Sequence, residues 1–247
     1  MKLAPLLCAL LYAVLAAALA LLDWQDISPL TALFAAVIGT FLADLLSGII
    51  HVYLDYVPFP AGAGIERVYF YVGPRDTREY LDFKASVFRG RPLVDRLSFS
   101  FKIHHWKPKA MNRKTYAEHA LETIGPAFPI ALLAFVLPPS AALGACVTAF
   151  LVANIQFIHA CIHDTPKSRV WKAVIRQLQR VHIVYSFETH MVHHRDGQKN
   201  FCLVTGWANV VLNPLCGLLF RAGLLKQDVW DSLRPSTRAA GSDDAVT

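Results

Sequence analysis

Asp44-Leu45-Leu46-Ser47-Gly48-Ile49-Ile50-His51 is the stretch on which the fold turns. It occupies the second half of an apolar run, Pro29 to about Tyr53, that is long enough to cross a hydrocarbon core of about 30 Å. Yet Asp44, Gly48, His51 and Asp55 recur at intervals of four, three and four, which places them on one helical face with Ser47 beside them. A charged side chain at that depth is costly unless it faces a protein interior or a polar cavity. The stretch therefore predicts an all-α membrane bundle folded around a polar site. His51 is the first candidate ligand, Asp44 and Asp55 are carboxylates that orient imidazoles or ligate directly, and Gly48 admits a close neighbour.

The composition agrees. Of 247 residues 55% are hydrophobic and only 17% charged, against about 25% in ordinary soluble domains. Upstream, Leu3 to Leu22 is almost unbroken Leu and Ala, longer than the core of a usual signal peptide, and it reads as a retained first span. Asp23 to Ser28 is a short acidic turn, and Pro29 opens the second helix where its missing N–H costs nothing. Downstream, Pro126 to Leu137 and Ala141 to His163 are two further apolar segments about Pro138-Pro139-Ser140, the first a full span only if it begins near Tyr116. Residues 57–95, with the breaker cluster Pro58 to Gly64 and the aromatics Tyr69-Phe70-Tyr71, read as interfacial helices or a cap.

Charge placement orients these spans. Twelve Lys or Arg lie between Asp55 and Leu121 and eleven beyond Asp164, whereas the turns at 23–28 and 138–140 carry none. The positive-inside rule then gives four spans with both termini cytoplasmic, in a bacterial inner membrane or the endoplasmic reticulum. The net charge of +6 comes without any nucleic-acid motif, so lipid headgroups are the expected counterpart and nucleic acid is not. Five scattered cysteines suggest neither a disulfide framework nor a CxxC site. Residues 1–233 form one membrane domain, and 234–247 a disordered tail.

Nine of the ten histidines fall into groups: His51; His104 and His105; His159 and His163; His182; and His190, His193 and His194. His159 and His163 are one turn apart with Gln156 a turn earlier, and His190 and His194 share a face with His193 beside it. Adjacent His104 and His105 diverge by about 100° on a helix, so both serve one centre only if it lies against the backbone or holds two ions. Glu118 is a further carboxylate. Nine imidazoles exceed what one four-coordinate zinc uses and suit two iron ions with open positions for oxygen. A mononuclear zinc hydrolase, with Asp44, Asp55 or Glu118 activating water, needs fewer ligands. A haem site across helices leaves the adjacent pair and the triplet surplus, and a metal- or haem-binding membrane protein without catalysis is the alternative of another class.

Together these motifs resemble the membrane fatty-acyl desaturase and hydroxylase superfamily, and within it the lipid desaturase family that holds plasmanylethanolamine desaturases and a plant phosphatidylglycerol trans-desaturase. The likeness runs from about Phe41 to Asn209 and includes Phe201-Cys202 and Thr205-Gly206-Trp207; it departs at Met191 and Asn200. The resemblance implies an oxygen-dependent oxidoreductase in which two Fe are held by His51, His104, His105, His159, His163, His182, His190, His193 and His194. Asp44, Ser47, Gly48, Asp55, Glu118, Gln156, Thr205 and Trp207 would support them. It implies electrons from a cytochrome b5 or ferredoxin-type donor and a membrane phospholipid substrate. The 1-O-alkyl chain of an ether lipid would become the vinyl ether of a plasmalogen, with acyl desaturation or hydroxylation as the alternatives.

Overall fold

A computed structural model describes residues 3–60, 62–108, 111, 114–163 and 169–226. The expected disordered tail from 234 and the expected helix stop at Asp164 to Pro166 lie outside the described residues. Ten α-helices are present among those described: α1 (Leu3–Ala20), α2 (Pro29–Tyr56), α3 (Ile65–Tyr69), α4 (Arg78–Phe88), α5 (Leu93–Trp106), α6 (Tyr116–Leu133), α7 (Pro139–His163), α8 (Arg169–Arg180), α9 (Phe187–Asp196) and α10 (Asn209–Arg221).

Two compact units divide the chain, one of residues 1–52 and 108–218 and the other of 53–107 and 219–247. The first unit holds the membrane helices. α1, α2 and α7 have 18, 28 and 25 residues and are apolar enough to cross a membrane, with lengths of about 27, 42 and 38 Å at 1.5 Å per residue. The chain is a multi-pass membrane protein. α6 starts at Tyr116, as a full span requires, but its first turns carry Glu118, His119 and Glu122, and it is not among the helices that meet the criterion by length and apolarity.

Small residues bring α2 and α7 together. A Cβ on Gly39 would fall 2.5 Å from the Gly144 carbonyl oxygen, and one on Gly144 would fall 3.3 Å from that of Ala35. Thr148 Oγ1, buried at this crossing, donates to the Gly39 and Gly144 carbonyls at 3.1 and 2.8 Å. The backbones thus meet directly, the contact small residues allow in an apolar solvent. α1 packs on α6 and α7 through Ala4, Cys8, Leu11, Leu15 and Ala18, spaced by three and four, while Leu3, Leu6 and Leu10 face outward. A polar knot of Tyr12, Tyr116 and Asn154 ties these three helices: the two hydroxyls are hydrogen-bonded to each other, Tyr116 donates to Asn154 Oδ1 at 2.8 Å, and Asn154 Nδ2 donates to Tyr12 at 3.1 Å.

The second unit resolves the stretch that the sequence left open into α3, α4 and α5 around an aromatic core of Tyr69, Tyr80, Phe88 and Phe99. Arg75 holds it shut, donating to the carbonyls of Val68, Tyr69 and Tyr71 and to the Tyr80 hydroxyl at 2.8–3.2 Å. Burial raises the Tyr80 pKa against the opposing pull of that guanidinium.

Candidate metal centre

Four imidazoles of the first unit converge. His159 and His163 stand a turn apart at the end of α7, and His190 and His194 a turn apart on α9, and their ligand nitrogens lie within 4.8 Å of one another. His190 Nε2 is 2.9 Å from His159 Nε2, 3.0 Å from His163 Nε2 and 3.1 Å from His194 Nε2. A ring nitrogen carries one proton or one lone pair, so it can complete a hydrogen bond with only one of those three. The other approaches set like against like. A cation that accepts every lone pair removes the conflict, and bonds of about 2.1 Å in a tetrahedron would hold the nitrogens about 3.4 Å apart, close to the spacing seen. The donor set fits a metal, and its nitrogen-only character suits iron, zinc or copper above magnesium or calcium.

α9 is built to present this set. Ser186 caps it by accepting from the Thr189 N–H at 3.2 Å, and Gly197, at φ +69°, ends it with its N–H on the His193 carbonyl at 2.7 Å. His190 is fully buried. That burial, then the neighbouring imidazoles of His194, His163, His193 and His51, holds its pKa well below the ordinary 6.5. A neutral ring is the form that ligates.

His51 and His193 make a second pairing in the same unit, with ring centroids 4.5 Å apart. His51 Nδ1 donates to the Phe201 carbonyl at 2.8 Å and His193 Nδ1 to the Lys199 carbonyl at 2.9 Å. A carbonyl only accepts, so both rings carry the proton on Nδ1 and turn the Nε2 lone pair toward a possible ion. In the second unit His104 Nδ1 donates in the same way to the Phe101 carbonyl, and His105 Nε2 lies 3.4 Å from Asp55 Oδ2. These three carbonyls are features the sequence does not reveal, because any residue supplies one.

Asp44, expected to orient an imidazole, to ligate or to hold the shape of the site, holds backbone. Neither orienting an imidazole nor ligating, it is fully buried and takes four backbone N–H groups: Val204, Thr205 and Gly206 on Oδ1 at 2.9, 2.9 and 3.2 Å, and Ala208 on Oδ2 at 2.9 Å. Ser47 Oγ accepts from the Leu203 N–H at 2.9 Å. One face of α2 therefore clasps the segment 201–208, with His51 at its lower end. Gly48 admits that segment and α10: a Cβ there would lie 2.4 Å from Leu212 Cδ2 and 2.8 Å from Cys202 Sγ. Gly206, at φ +80°, lies where a Cβ would enter the Tyr185 ring at 2.3 Å. Thr205 Oγ1 accepts from the Trp207 N–H at 3.1 Å, which shapes the turn.

Two further residues stand away from the site. Glu118 forms a capping box with Thr115 at the start of α6, so its carboxylate serves the helix end. His182 is exposed in the turn after α8, in a left-handed conformation at φ +56°, and belongs to neither imidazole grouping. Gln156 is buried on α7, and its Oε1 has no hydrogen-bond partner among the described residues.

The model of the lipid desaturase domain matches residues 89–221. The plasmanylethanolamine desaturase of Myxococcus xanthus is 30% identical over 112 residues, which cover 44% of this chain and 40% of that relative. The alignment thus spans less than half of the relative's length. No solved structure matches.

Proposed function

The chain belongs to the lipid desaturase domain family, and from that premise we propose that it is a di-iron, oxygen-dependent desaturase acting on the 1-O-alkyl chain of an ether phospholipid. The observation that carries the reading is His190, whose Nε2 meets three other imidazole nitrogens at 2.9–3.1 Å, an approach that a shared cation reconciles. The name of the aligned relative, an alkyl-ether desaturase, supports the choice of lipid.

His51, His159, His163, His190, His193 and His194 hold the irons, joined by His104 and His105 on the strength of the family resemblance; His182 is left out because it is exposed. Bound iron supplies the oxygen activation that side chains lack. In the net reaction the lipid chain loses two hydrogens, and O2 with two external electrons and two protons leaves as two waters. The residues of this chain keep the ligand rings aimed: the Phe201 and Lys199 carbonyls fix the tautomers of His51 and His193, and Asp44 fixes the segment that carries the first of those carbonyls. We assign four spans, α1, α2, α6 and α7, with both termini and the histidines cytoplasmic, where a cytochrome b5 or ferredoxin-type donor has access.

Lipid profiling of cells that gain the gene tests the reaction. Acid-labile vinyl ethers at the expense of alkyl ether lipids are expected. New double bonds or hydroxyls in ester-linked chains, with no vinyl ether, would replace this reading by acyl desaturation or hydroxylation.

A further inference from the structure

A cavity of about 420 Å³ lies in the first unit, lined by Ile162, Arg176, Arg180, Ser186, Phe187 and Glu188 among others. Its residues belong to one unit and adjoin the candidate ligands along the chain, Ile162 beside His163 and Glu188 two residues before His190. Arg176 and Arg180 are exposed and one turn apart on α8, and neither has an ion-pair partner among the described residues; nor has Glu188. Two cations and one anion thus share a concave site with an apolar wall of Ile162 and Phe187.

α8 is suited to the depth at which lipid headgroups lie. By helical spacing Arg176 and Arg180 fall on one arc, while Val170, Val174 and Leu178 fall on the opposite side. Val170 and Val174 are exposed, at 70% and 39%, as are Val181 and Ile183 just beyond. A helix with a cationic face, an uncovered apolar face and a preceding membrane span lies at the boundary of lipid and water.

We propose that this cavity is a headgroup pocket for a zwitterionic phosphoethanolamine lipid, with Arg176 and Arg180 on the phosphate and Glu188 on the ammonium. An anionic headgroup would satisfy the arginines and leave Glu188 facing like charge; a zwitterion of this kind satisfies all three. The position also fits the chemistry. The bond desaturated in an alkyl ether is only a few bonds from the phosphate, so headgroup pocket and iron ligands must be neighbours, whereas a mid-chain acyl desaturase would separate them by half a lipid chain. The inference rests on the desaturase reading for its substrate class.

Calorimetric titration of the full chain in maltoside micelles tests it, with dihexanoylphosphatidylethanolamine, dihexanoylphosphatidylglycerol and inorganic phosphate as probes. The ethanolamine lipid is expected to bind most tightly. The pair Arg176→Gln and Arg180→Gln should weaken both lipids by about tenfold or more, and Glu188→Gln should weaken only the ethanolamine lipid, by about tenfold, and erase the preference. Unchanged binding in the arginine pair, a preference that survives Glu188→Gln, or phosphate binding as tight as either lipid would each overturn the pocket. Because binding is read without turnover, this pattern in a protein that makes no vinyl ether would fault only the reaction. Vinyl ether formation with an unaltered KM in the arginine pair and in Glu188→Gln would fault only the pocket.

Discussion

Asp44 is the residue with the largest structural task. One carboxylate accepts from four backbone N–H groups of segment 203–208, and hydrogen bonds to a buried charged acceptor are the stronger kind. Asp44→Asn keeps the size but removes the charge and turns donors toward donors. It is expected to cost on the order of 3 kcal/mol, seen as a lowered thermal unfolding midpoint in detergent, and to lower iron content through the Phe201 carbonyl that aims His51. A midpoint equal to that of the wild type would contradict the clasp. His190 makes a second prediction at this scale. Its folded pKa is depressed, so as pH falls below 6.5 the unfolded chain takes up a proton that the folded chain refuses. Metal-free protein should therefore be equally stable above about pH 6.5 and lose stability as pH drops further toward the folded value. Unfolding midpoints at pH 7.5 and 5.5 check this; equal midpoints would mean that His190 is not held neutral by the fold.

At the scale of elements, spacing in the sequence was enough to find the long helices and the shared face of Asp44, Gly48 and His51, because helical periodicity is a local property. It was not enough to say what that face meets. The partners of Asp44 are backbone N–H groups some 160 residues away, which no side-chain pattern announces. The same limit left Glu118 between two roles, since a carboxylate near the start of α6 serves a cap as readily as a metal, although Thr115-x-x-Glu118 is itself the signature of a capping box. Glu118→Ala should accordingly cost about 1 kcal/mol and leave iron content unchanged; loss of iron at full stability would restore its role at the centre. The crossing of α2 and α7 offers a separate test. Gly39→Val would drive a side chain into the Gly144 carbonyl and should destabilise the bundle by about 1–3 kcal/mol, read as a lower unfolding midpoint. An unaltered midpoint would mean that the helices do not pack at these glycines.

At the scale of the molecule, the chain is a multi-pass membrane protein whose apolar helices carry imidazoles at their ends, and we propose that these imidazoles hold two irons. The histidine grouping was legible in the sequence as an excess of ligands. The separation of the first unit's imidazoles into a set of four and a pair, with His182 outside both, was not, because it depends on where α9 meets α7. Metal analysis of the full chain purified from iron-replete cells, beside the variants His190→Ala and His182→Ala, counts those irons. A di-iron centre predicts about two irons per chain in the wild type and in His182→Ala, and a marked loss in His190→Ala. One zinc per chain, or iron retained in full by His190→Ala, would contradict it.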